Sequence, residues 1–261
     1  MTASPSLALQ IRWLTWRSTI RIARQPAYVI APLAFPLALF AVNSAGLSAS
    51  TRLPGFPADT FLAFALAVPF VQGALISSLN VSTELARDIQ TGFLNRLQLT
   101  PMRGSALVAG YLGGLLVLGL FQAVVYLTVG LASGTHFKAG AAGVLVLFAL
   151  ALLVVLAFGS LGALVALRSG SSESVMGFFP VFFVALFISS MNAPRNLMSV
   201  GWFRGLATAN PVSYLIEGVR SLIVTGWDGQ ALALAFAIGA GLAVAGLLAS
   251  GWALRTRLTR T

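Results

Sequence analysis

The sequence predicts an all-α integral membrane protein with six transmembrane helices, and three observations carry that expectation. Of 261 residues, 58% are hydrophobic and only 8% charged, whereas a soluble domain needs about a quarter of its residues charged to face water. Six charge-free gaps, 25–51, 60–83, 104–137, 139–167, 174–194 and 229–254, each reach the roughly 20 residues that a bilayer crossing takes. The apolar runs inside them lack the two-residue alternation of a barrel strand, so helices are expected.

The spans themselves read as 27–47, 60–82, 105–131, 141–167, 174–192 and 231–254, one membrane domain over 27–254. Pro32, Pro36, Pro69 and Pro180 fall inside spans. Each removes a backbone donor, and neighbouring helices and polar side chains are expected to satisfy the freed carbonyls, so kinks are expected there and not breaks. A seventh gap, 205–216, is too short to cross and contains Asn210-Pro211. It reads as a re-entrant or interfacial element within an outer segment, 193–228.

Orientation follows from the arginines. With both termini in the cytoplasm of a cell-membrane protein, eleven of the 16 basic residues lie on inner segments and five on outer ones, as the positive-inside rule requires. The net charge of +10 would suggest nucleic acid in a soluble protein. Here the cations flank apolar runs, which points to anionic headgroups of the lipid bilayer and not to nucleic acid. No cleavable signal peptide is expected, because the first apolar run is too long for one.

Residues 6–24 hold Arg17, Arg21 and Arg24 on one helical face, with Leu7, Ile11 and Leu14 on another and Trp13, Trp16 and Ile20 in a second apolar patch. This predicts an interfacial helix, acting either as a simple anchor or as a contact for a cytoplasmic partner. Residues 84–103 form the most polar inner connection. Glu84 and Asp88 share a face at i, i+4, and Leu85, Ile89 and Phe93 make a stripe on another. Gly92 interrupts the helix and Pro101 ends the segment. Such an element suits a groove on a soluble protein, although an ordinary solvated connection has the same composition.

Several chemistries are excluded. There is no cysteine and only one histidine, His136 in a polar break, so neither a thiol nucleophile nor a histidine metal cluster is available. No GxxxxGK[ST] run occurs, and the only lysine is Lys138, so the chain carries no P-loop for a nucleotide. The six carboxylates, Asp59, Glu84, Asp88, Glu173, Glu217 and Asp228, avoid the span centres, where an ion-coupled secondary transporter would need one. A non-transporting membrane scaffold shares the same topology.

At the 84–103 segment the chain resembles the membrane subunits of ABC-2 type exporters, especially the daunorubicin-resistance permease group. The matching residues are Asp88, Thr91-Gly92-Phe93-Leu94-Asn95-Arg96-Leu97 and Thr100-Pro101-Met102-Arg103, with Asn95 where many relatives carry a carboxylate. A second match is Asn210-Pro211-Val212-Ser213-Tyr214-Leu215-Ile216-Glu217-Gly218-Val219-Arg220, followed by Gly226. The resemblance implies that residues 84–103 are a cytoplasmic coupling helix seated in a separate P-loop ATPase subunit, which binds ATP and Mg, with no cofactor in this chain. Glu84, Arg87, Asp88, Gly92, Phe93, Arg96, Leu97 and Pro101 would carry the coupling, and charge reversal of Glu84 and Asp88 would uncouple hydrolysis from export. The N-terminal helix would lie beside that segment. Asn210, Pro211, Tyr214, Glu217 and Arg220 would shape the outer re-entrant pair, where Glu217 and Arg220 are spaced to bond each other. A six-span permease implies a dimer, with a second copy or a sister permease.

Small residues at Gly110, Gly113 and Gly114, at Gly159 and Gly162, and at Gly239, Gly241 and Gly246 permit close helix contact, either within the chain or at a dimer seam. Few polar groups lie in the spans. Gln72 and Asn192, with Phe179 and Phe183 in a phenylalanine-rich fifth span, are the expected substrate pathway for a hydrophobic or amphipathic molecule such as a drug, lipid or lipid-like metabolite.

Overall fold

A computed structural model describes residues 6–93, 96 and 102–258. Among these, ten α-helices form a bundle with no strand: α1 Leu7–Ala23, α2 Pro26–Gly46, α3 Phe61–Ala65, α4 Ala67–Gln90, α5 Gly104–Ala132, α6 Gly140–Ser169, α7 Ser172–Phe187, α8 Gly201–Ala209, α9 Pro211–Val224 and α10 Gly229–Leu258. Five stretches are long and apolar enough to cross a membrane: α2, α3 with α4, α5, α6 and α10. The segment expected over 174–192 yields only the 16 residues of α7, about 24 Å at 1.5 Å per residue. Polar Ser189 and Ser190 end it, and their backbone turns inward against α9. Ser190 donates its N–H to Ser213 Oγ and its hydroxyl to the Ser213 carbonyl. Both serines are buried, and irregular backbone at depth is tolerated where protein covers it.

The expected second span is broken once and then prolonged. Pro69 cannot donate to the carbonyl of Ala65 four residues back, and its ring crowds that carbonyl. Helix α3 accordingly stops at Ala65, and α4 restarts at Ala67. From there α4 runs straight through Glu84 and Asp88 to Gln90, where Gly92 at φ +68° turns the chain out, a left-handed conformation that glycine adopts without strain. Thus Glu84, Arg87 and Asp88 belong to the last turns of a long helix and not to a separate short one. In α2, Pro36 leaves the carbonyl of Pro32 without its helical donor. The hydroxyl of Tyr126, on α5, donates to it, which is the side-chain repair expected of a proline in a span.

Helix α4 is the centre of the bundle, with 19 of its 24 residues buried, whereas α2 buries only Pro32, Pro36 and Phe40. The outer helices present side chains such as Val42, Leu145 and Leu248 outward. Glycines set the close approaches. Side chains at Gly110 and Gly114 would strike Leu14 and Ser18 of α1, and one at Gly113 would strike Thr15. A side chain at Gly162 would strike Ser82, and one at Gly246 would strike Ser160. These glycines serve packing within the chain, since in lipid close backbone contact replaces the hydrophobic drive.

Helix α1 therefore docks by an unexpected face. Its buried residues are Gln10, Leu14, Ser18 and Ile22, a small and partly polar i, i+4 row laid on the α5 glycines. Trp13 and Trp16 stay exposed. At the end of the bundle that carries both α1 and the last turns of α10, Arg257 donates to the Leu167 carbonyl at 2.7 Å, capping α6. At the far end lie the Arg195–Leu197 turn, α8 and α9.

Candidate functional site

Two polar constellations interrupt the apolar bundle, one at each end. The first joins α1 to the end of α4. Glu84 and Asp88 are only 4% and 6% exposed, so neither can face a partner directly. Two carboxylates removed from water require cations and donors close by. The arginines come from α1, where Arg17 and Arg21 share a face one turn apart. Arg21 bonds Asp88 Oδ1 at 2.9 Å and places Nη2 2.6 Å from Glu84 Oε2, an ion contact whose angle is not that of a hydrogen bond. Arg17 reaches Asp88 Oδ2 at 3.4 Å. Tyr28 donates to Glu84 Oε1 at 2.8 Å, Arg87 donates to the same oxygen at 3.3 Å, and Tyr111 donates to Asp88 Oδ2. Burial works to lower the Arg21 pKa. The hydrogen bond and charge of Asp88, with the charge of Glu84, outweigh it and raise the value, so the guanidinium stays charged.

The same helix holds both roots of the connection that follows α4. Arg17 lies over the ring of Phe93 at 4.3 Å, a cation–π contact. Gln10, itself buried, accepts a hydrogen bond from the N–H of Arg103 at 3.0 Å. Arg96 is exposed, and among the described residues its side chain bonds through Nη2 to the Thr91 carbonyl. Gly92 is the turn already described. Leu97 and Pro101 lie outside the described residues. The end of α4, the start of α5 and α1 are thus tied into one unit.

The second constellation is at the far end. Asn210 and Pro211 form the corner between α8 and α9. The Asn210 side-chain oxygen caps Val212 N–H, and Pro211 takes the first helical position, where its missing N–H costs nothing. Asn210 Nδ2 donates to the carbonyls of Ala185 and Ile188 at 2.5 and 2.7 Å, satisfying the orphan end of α7. Glu217 does not pair with Arg220, contrary to their i, i+3 spacing. Arg195 takes both of its oxygens in a bidentate bond, 2.8 and 2.5 Å, and stacks on Tyr214 at 4.4 Å. Arg220 instead turns into the bundle, 6% exposed, 3.5 Å from the centre of the Phe64 ring. It donates to the carbonyls of Phe64 and Met191 at 3.0 and 3.1 Å.

The expected pathway residues do not gather. Gln72 is buried in α4 with its Oε1 unpartnered. The rings of Phe179 and Phe183 lie 4.9 Å apart, tilted at 46°, along α7, with Phe35 of α2 beside Phe183. Phe179 lines a narrow cleft with Ser78 and Ser82 of α4, which Gln72 does not reach. Asn192 is exposed at the far end and bonds Asn43 at 3.5 Å. Sequence reasoning missed Tyr28, Tyr111, Gln10 and Arg195 as partners. The legible signal was the matched spacing of Arg17 and Arg21 against Glu84 and Asp88, two i, i+4 pairs of opposite sign.

A bundle of long apolar helices, an amphipathic N-terminal helix clamped beside a polar connection, and an exposed short helix followed by a buried one before the last span make this an all-α membrane protein. The family model of the ABC-2 type transporter matches residues 9–224, and the chain belongs to that family. It is similar to the probable doxorubicin resistance ABC transporter permease protein DrrC of Mycobacterium tuberculosis, in strains CDC 1551 / Oshkosh and ATCC 25618 / H37Rv, at 28% identity over 154 residues. That match covers 59% of this chain, and the chain spans about half, 55%, of the length of those relatives.

Proposed function

We propose that this protein is the permease of an ATP-driven exporter, powered by a separate P-loop ATPase subunit that binds the ATP and Mg. The observation that carries the reading is the clamp: Arg17, Arg21 and Gln10 of α1 fasten the last turns of α4, Phe93 and Arg103 into one piece. A push delivered at residues 91–103 would reach α4, α5 and α1 together, because buried ion pairs and glycine contacts do not yield independently. Glu84 and Asp88 then act as the internal rivet of coupling, with Arg96 and the 91–103 connection as the surface offered to the ATPase. The clamped end and both termini face the cytoplasm, in keeping with its excess of arginines. The chain works as a dimer, with a second copy or a sister permease, and alternates access as the ATPases close and open.

The substrate is a hydrophobic or amphipathic molecule taken from the cytoplasm or inner leaflet. The doxorubicin resistance for which the relatives are named and the Phe35–Phe183–Phe179 cluster favour a drug-like or lipid-like compound over a hydrated ion. Purification of the tagged protein in mild detergent from its own membranes tests the pairing. A P-loop ATPase recovered near one-to-one is the expected result, and a second permease type in the sample would make the dimer mixed. A preparation free of any ATPase would sink the exporter reading and favour an ion-coupled transporter or a scaffold.

A further inference from the structure

At the far end, between α3, the Arg195–Leu197 turn, α8, α9 and the start of α10, lies an open cavity of about 480 Å³. Its ionisable lining is Arg195, Arg204, Arg220, Glu217 and Asp228. Both carboxylates are committed. Glu217 is spent on the bidentate bond to Arg195. Asp228 Oδ1 caps α10, accepting from the N–H groups of Gln230 and Ala231 at 3.1 and 3.0 Å. Arg220 and Arg204 keep no carboxylate contact among the described residues. Glu217 is close enough for its charge to act on Arg220 but makes no bond to it.

Arg220 is the informative member. A guanidinium offers five N–H donors, and protein carbonyls take one from Nε and one from Nη2. A nearly buried cation with no carboxylate bonded to it is costly, and such a residue in a membrane protein marks a site. Helix α8 sets the depth. Its Trp202 and Leu206, one turn apart, are exposed at 69% and 48%, an apolar face suited to lipid with the ring at headgroup level. Arg204 and Thr208, also one turn apart, line the cavity. With Trp202 in the headgroup layer, the cavity would open at the level of a bilayer's phosphate groups.

We infer that this cavity is a binding site for a phosphate ester, held by Arg220 from within and Arg204 from the rim. Arginine suits the ligand because its planar fork matches phosphate oxygens two at a time. The inference stands independently of the ATPase pairing and of what the permease moves.

The test is native mass spectrometry of the delipidated full-length protein titrated with phosphatidylglycerol, with diacylglycerol of the same chains and with inorganic phosphate. Arg204→Gln is the primary variant, since an exposed rim residue leaves folding intact. Arg220→Gln is the second, scored only if it purifies folded. Phosphatidylglycerol is expected to bind wild type well above diacylglycerol. Its tightest step should weaken about tenfold in Arg204→Gln, the worth of one charge-assisted contact. Lipid held by arginines at the other end is common to both proteins and cancels. If inorganic phosphate alone occupies the site with the same Arg204 dependence, the ligand is a soluble phosphate ester. Equal binding of phosphatidylglycerol and phosphate by wild type and Arg204→Gln would overturn the assignment.

Discussion

Replacing Arg21 with alanine removes the one side chain among the described residues that touches both buried carboxylates. Breaking a buried ion pair costs about 3–5 kcal/mol when the surviving charge is left alone. Here neither is alone. Asp88 keeps Arg17 and Tyr111, and Glu84 keeps Tyr28 and Arg87. The Arg21 side chain is also 32% exposed, so solvent screens part of the interaction. About 2 kcal/mol is the expected loss, or about 4–8 °C in midpoint for a chain of this length. Thermal unfolding in detergent reads the shift, with Arg24→Ala as the control, because Arg24 is exposed. Hydrogen exchange should show α1 loosening before the long helices. Adding Asp88→Asn to Arg21→Ala should cost less than the sum of the two single changes. Arg21→Ala indistinguishable from Arg24→Ala would refute the clamp.

Gly113→Val should drive a side chain into Thr15 and lift α1 from α5 at a cost of about 1–3 kcal/mol, seen as tryptic cleavage at Arg17 and Arg24. Tyr126→Phe leaves the Pro32 carbonyl without its donor and should lower stability by about 1–3 kcal/mol, measured by the same melt. Asn210→Ala removes a helix cap and two donors to the end of α7. Asn210→Asp keeps the cap oxygen but not the donors, so it should fall between wild type and alanine in a thermal series. Glu84→Arg with Asp88→Arg sets new cations against Arg17 and Arg21 inside the protein. The expected outcome is poor accumulation in the membrane, and not the stable, uncoupled permease that a solvent-facing pair would give.

Much of this fold is written in the spacing of charges. Each of the five long stretches covers most of one charge-free gap, because a charge in hydrocarbon is costly, and α4, α6 and α10 then run on past the gap's end into charged last turns. The fifth gap, 174–194, holds a shorter helix than its length suggests. Uncharged residues through Met191 look like span by composition, yet Ser189 and Ser190 end α7 early by bonding into α9, a tertiary contact with no local signature. The end of α4 misled in the opposite sense. Glu84 and Asp88 read as a polar loop because carboxylates usually face water, and only Arg17 and Arg21, some seventy positions away, make their burial possible. The Glu217–Arg220 spacing is a true helical neighbour relation, and it lost to Arg195, whose planar fork meets both carboxylate oxygens at once. Asn210-Pro211 was legible as a corner from the residues alone, since a capping side chain and a first-turn proline are local chemistry.

The chain has no cysteine, so a single introduced thiol reports one position without a background. The most direct test of the central claim places it at Arg96→Cys, an exposed position after α4, and in a second protein at Leu53→Cys, exposed at the far end. Membranes of the native host are treated with a short thiol-to-amine cross-linker, and the adducts are identified. An ATPase subunit joined to the Arg96→Cys protein and not to the Leu53→Cys protein is the expected result, and nucleotide should alter its yield. An ATPase adduct at Leu53→Cys, or none at Arg96→Cys while the two subunits still purify together, would contradict the placement of the docking surface at the clamped end.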